Sequence, residues 1–64
     1  MTAAQFKLLC KVCTTNGGGI SAQDANARTI AALLKFGYIQ GKSGMQWKIV
    51  HTREGLAAFK EFSQ

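Results

Sequence analysis

Between Ala27 and Thr52 the chain reads ARTIAALLKFGYIQGKSGMQWKIVHT, and no other stretch restricts the fold as much. Apolar residues recur at helical spacing up to Phe36, and Gly37 then supplies the left-handed residue that closes a helix. Tyr38 and Ile39 open a β-prone run. Gly41-Lys42-Ser43-Gly44 is a turn by composition. Met45, Trp47 and Ile49 then alternate with Gln46, Lys48 and Val50, the period of a strand with one face half buried. A helix over Ala27 to Phe36 must therefore feed straight into a β-hairpin. The hairpin carries Lys42 near its tip and Lys48 on its outward face. Rotation by about 100° per residue gathers Ala27, Ile30, Ala31, Leu33 and Leu34 on one side of the helix. Arg28, Ala32 and Lys35 fall on the other. Trp47 is expected to pack with Met45 and Ile49.

Upstream, Thr2 and Gln5 have the spacing of a capping box, so a first helix is expected from about Thr2 to Thr15. Phe6, Leu9, Cys10 and Cys13 share its apolar face with Val12 beside them, and Lys7 and Lys11 look to water. Asn16-Gly17-Gly18-Gly19 ends it. Ile20 is a single β-residue, and Ser21 caps the next helix, with Asp24 in its first turn. One bent helix from Ser21 to Phe36 would turn Gln23 and Asn26 toward the apolar side, where each would need a buried partner. A break near Asn26 removes the conflict, giving a short helix from Ala22 to about Asn26; the bent helix remains the alternative. Thr52 caps a last helix with Glu54 in its first turn. Leu56, Phe59 and Phe62 supply its contacts, while Lys60 and Glu61 face water. The reading is one α+β domain over residues 1–64: helix, β-residue, short helix, helix, hairpin, helix.

Sixty-four residues with 47% apolar content make one small globular domain. Eight Lys/Arg against three Asp/Glu leave a net charge of +5. That balance favours an anionic partner, although a basic protein without one has the same composition. No leader pattern is visible, and the longest apolar run, Ile30 to Leu34, falls far short of the ~20 residues that span a bilayer. A cytoplasmic or nucleoid-associated location and no membrane are expected. Cys10-Lys11-Val12-Cys13 is formally C-x-x-C, but a zinc site wants four ligands and the chain adds only His51. The pair reads first as two small buried hydrophobes, with a metal shared across a dimer or a redox role as alternatives. His51 has no carboxylate or nucleophile constellation, and Gly17 to Gly19 lack the Lys-Ser/Thr of a P-loop. No enzymatic activity, cofactor or metal is expected.

Three pieces together resemble the winged helix-turn-helix family. They are the helix ending in Leu33-Leu34-x-x-Gly37-Tyr38-Ile39, the basic glycine-containing hairpin, and Thr52-Arg53-Glu54-Gly55 opening the last helix. In one departure, only Ser21 to Asn26 precede the second helix of the motif, so its first helix is a turn or two. The resemblance implies double-stranded DNA as partner, with residues 27–36 in the major groove and the hairpin on the backbone. Arg28 would then meet guanine, Gln23 and Asn26 adenine, and Thr29 completes the set on the helix. Lys35, Lys42, Ser43, Lys48 and Arg53 would meet phosphates. A small transcriptional regulator, sequence-specific or accessory, is the expected function. A homodimer is expected through Phe59, Phe62 and the first helix. The other reading is a winged-helix adaptor that binds protein through Ala25/Ala32 and Phe59/Phe62 without DNA. The Arg28/Lys35 stripe as an ordinary solvated face, and the hairpin lysines as edge-strand protection, also stay open.

Overall fold

The computed structural model describes residues 1–63, apart from the side chains of Met45 and Gln46. Three α-helices and a three-stranded antiparallel sheet form a small α+β fold. In chain order the elements are α1 (Ala3–Cys13), β1 (Ile20–Ser21), a 3-10 turn (Ala22–Asp24), α2 (Ala27–Phe36), β2 (Ile39–Lys42), β3 (Met45–His51) and α3 (Arg53–Phe62). The sheet order is β1-β3-β2, so β3 is central. α1 packs on α2, α3 and β3, and β3 touches β1, β2, the 3-10 turn, α1 and α3.

The helix ends follow local chemistry. At the start of α1 the Gln5 N–H donates to Thr2 Oγ1 at 3.2 Å and the Thr2 N–H to Gln5 Oε1 at 2.9 Å, the expected capping box. The helix stops at Cys13, earlier than expected: the Thr15 N–H turns to the Val12 carbonyl three residues back, and Asn16 and Gly17 then take φ of 53° and 86°. Asn26 is the N-cap of α2: its side chain accepts from the Arg28 N–H at 2.8 Å. The break near Asn26 is thus present, and a single bent helix is not. At the far end Gly37 has φ 78°, and the N–H groups of Gly37 and Tyr38 donate to the carbonyls of Leu34 and Leu33, both at 3.0 Å. This crossed pair is a Schellman closure, which turns the chain from α2 into β2.

Leu9, Val12 and Leu33 are fully enclosed, and Leu8, Cys13, Ile39, Ile49 and Ala58 complete the core. Two expected faces are rotated. On α1 the core takes Leu8, Leu9, Val12 and Cys13, while Phe6 and Cys10 are only half buried. On α2 only Leu33 is buried and Thr29, Ile30 and Ala32 are half buried; Ala27, Ala31 and Leu34 are exposed. The inward direction of α2 therefore lies about a quarter turn from the apolar centre of its sequence. Seven of the ten positions of α2 are apolar, so its contacts with α1 and β2, and not its own pattern, decide which face goes inside.

The hairpin is tighter than Gly41 to Gly44 suggested. Lys42 pairs with Met45, leaving the two-residue turn Ser43-Gly44 with Gly44 at φ 79°. Gly41 pairs with Ile49, so the register steps between Gly41 and Lys42 and leaves residues 46–48 of β3 at the step. Trp47 is 56% exposed and does not fill the core as expected. The Lys48 Nζ lies 5.6 Å from its ring centroid, within cation–π range. The expected contact of Met45 with Trp47 lies outside the described residues.

Candidate nucleic-acid interface

α2 presents its cations outward. Arg28 and Lys35 are both exposed. Ala32, expected between them, is half buried, and Ala31 takes its place on the outward face. The stripe is therefore Arg28, Ala31 and Lys35, bordered by Ala27 and Leu34. No carboxylate lies on α2 to balance it.

The remaining sequence candidates divide by what their side chains already do. Asn26 is the cap of α2, where its Oδ1 accepts from the Arg28 N–H, so one of that oxygen's two lone pairs is committed and the side chain is held at the helix start. Gln23 is exposed on the 3-10 turn, where its backbone N–H donates to Ser21 Oγ. Thr29 is half buried. On the hairpin, Ser43 is exposed in the turn and Lys42 is half buried at the end of an edge strand. Lys48 sits on the central strand, paired with Ser21 of β1. Edge-strand protection therefore explains Lys42 but not Lys48. Arg53 is exposed as the first residue of α3.

A groove that the sequence pattern did not announce runs between α1 and the start of α2, with a volume of about 250 Å³. Lys7 and Lys11 form one wall; Asp24, Asn26 and Thr29 form the other. Ala4, Leu8 and Ala25 make it partly apolar. Lys7 and Lys11 are four residues apart on one helix face, a spacing that in sequence marks only a solvated surface. Their approach to the N-terminal end of α2 needs the tertiary packing of α1 on α2.

Gly37, Thr52 and Gly55 fix the base of the hairpin against both neighbouring helices. The Thr52 hydroxyl donates to the Gly37 carbonyl and accepts from the Gly55 N–H at 3.0 Å, and the Thr52 N–H donates to the Tyr38 carbonyl at 3.0 Å. Thus the residues that close α2, open β2 and start α3 meet at one residue, Thr52.

Both cysteines are free; Cys13 is buried and Cys10 half buried. Among the described residues no group of three or more His, Cys, Asp or Glu is placed to hold a metal ion. His51 Nδ1 is enclosed without a hydrogen-bond partner among the described residues. Among the described residues no helix is long and apolar enough to cross a membrane. Comparison with known proteins finds no matching family model, no matching curated protein and no matching solved structure.

Proposed function

We propose that this chain is a small winged-helix protein that binds double-stranded DNA as a homodimer and acts in transcription or DNA organisation. The observation that carries this reading is the outward face of α2, on which Arg28 and Lys35 flank small and aliphatic residues with no acid on the helix. An α-helix with such a face has the width and charge for the major groove. Support comes from the order of elements, in which a short turn and a capped helix precede a basic hairpin. Lys42, Ser43 and Lys48 would contact backbone from the hairpin, and Lys7 and Lys11 join them from the groove beside α2. Arg53 and Gln23 are further backbone candidates.

The test is duplex binding measured against salt. Five or so phosphate contacts give a slope of log K against log salt of about −4 to −5. No binding at low salt would end the reading. The adaptor alternative draws on a specific observation, the exposed rings of Phe36 and Phe62, at 47% and 54%. Its other half is weakened, because Ala25 and Ala32 are half buried and offer no open small-residue face.

A further inference from the structure

Leu34 stands 50% exposed on a helix whose sequence marks it for the interior. Ala31 and Ala27 are exposed beside it, and Arg28 and Lys35 border the strip. The chain as a whole carries +5. Seven residues apart, Arg28 and Lys35 lie in one row along the same edge of the strip, which fits a surface with an apolar floor beside an anionic wall. A second copy of the same face does not fit, because a two-fold contact would bring Arg28 and Lys35 against their own duplicates. The major groove does fit: thymine C5 methyl groups project from its floor and phosphates run along its rims. The groove beside the start of α2 adds an independent feature: its lining holds two cations, Lys7 and Lys11, and one carboxylate, Asp24.

We propose that α2 reads thymine methyl groups, with Leu34, Ala31 and Ala27 in apolar contact with them. This rests on the duplex-binding reading above and names what that surface prefers. From Ala27 to Leu34 the helix rises about 10 Å, the rise of about three base pairs. The alanines let the backbone come close, and Leu34 reaches farther. The strip itself carries no amide or hydroxyl side chain, so hydrogen-bonded readout there is left to Arg28, whose fork suits guanine O6 and N7. The preferred site is a short thymine-containing step beside a guanine.

Replacing thymine by uracil removes the C5 methyl and leaves base pairing unchanged. Binding is therefore compared on alternating dA·dT duplex, the same duplex with deoxyuridine for thymidine, alternating dG·dC duplex, and that duplex with 5-methyl-deoxycytidine. Each contacted methyl is worth about four-fold in affinity, so two give about fifteen-fold in favour of thymine over uracil. The methylated dG·dC duplex is expected to bind tighter than the plain one. L34Q and A31S, both at exposed positions that folding tolerates, should shrink the thymine–uracil ratio toward one. Equal affinity for the thymine and uracil duplexes overturns the methyl reading while leaving duplex binding intact. No binding to any of the four at low salt removes the duplex reading and this inference with it.

Discussion

Gly55 is buried where α3 begins, and a Cβ there would overlap the backbone carbonyl of Tyr38. Its φ is ordinary, so the requirement is space and not conformation. Gly19 is constrained twice: φ is 78°, and a Cβ would come within 2.6 Å of the Ile49 carbonyl oxygen. Backbone cannot swing aside as a flexible side chain can, so Gly55→Ala is expected to lose about 3 kcal/mol, measured as a fall in the urea midpoint. Gly17→Ala, whose Cβ meets nothing, should lose less and only through its positive φ. Cys13 carries a second residue-level consequence. Burial, and then the neighbouring Cys10, hold its thiol above the ordinary value of 9.0. The folded state therefore keeps the proton where the unfolded chain has lost it. Stability from this group is complete below about pH 9 and declines as pH rises above that value. Urea midpoints at neutral and high pH should fall less in Cys13→Ala than in the parent, and a thiol reagent should label Cys10 before Cys13.

At the scale of elements, the boundaries of α2 were legible because particular groups fix them. Asn26 supplies a cap, and Gly37 supplies the left-handed exit. The start of α3 was equally readable from Thr52. Orientation was not. Ala27, Ile30, Ala31, Leu33 and Leu34 form so wide an apolar arc that its centre does not identify the side that meets α1 and β2. The same limit hid the groove, since Lys7 and Lys11 lie far in sequence from Asp24 and Thr29 and meet them only through packing. Trp47 was misplaced for another reason: strand alternation assigns it the side of Ile49, but the register step carries the strand away from the core there. Arg28 and Lys35 were found on the outward face from helical spacing alone. Their roles separate from those of the hairpin in one measurement. Arg28→Ala should lose about 1–3 kcal/mol on a preferred sequence and little on others, whereas Lys42→Ala should weaken all sequences alike and reduce the salt slope by about one. Binding curves on a selected and a scrambled duplex check both.

Across the whole molecule, charge is unevenly spread. α3 holds two of the three carboxylates, Glu54 and Glu61, which balance Arg53 and Lys60, and the net +5 therefore resides outside it. Two copies meet least repulsion across α3. An aromatic cluster lies there as well: the ring of Phe6 is 6.1 Å from those of Phe59 and Phe62, and Phe62 is 54% exposed. The proposed homodimer should use this end, leaving the outward face of α2 for a duplex. Sedimentation of the parent at micromolar concentration should give twice the chain mass, and Phe62→Ser should give the single-chain mass with little loss of stability. Parent and variant sedimenting alike as single chains would leave DNA binding to a lone module.

The three-way tie at Thr52 bears on how the chain comes apart. With one hydroxyl bridging the exit of α2 and the entry of α3, any cut that releases α3 also unties the exit of α2. Limited proteolysis should therefore yield either intact protein or small peptides, without a stable core that lacks α3.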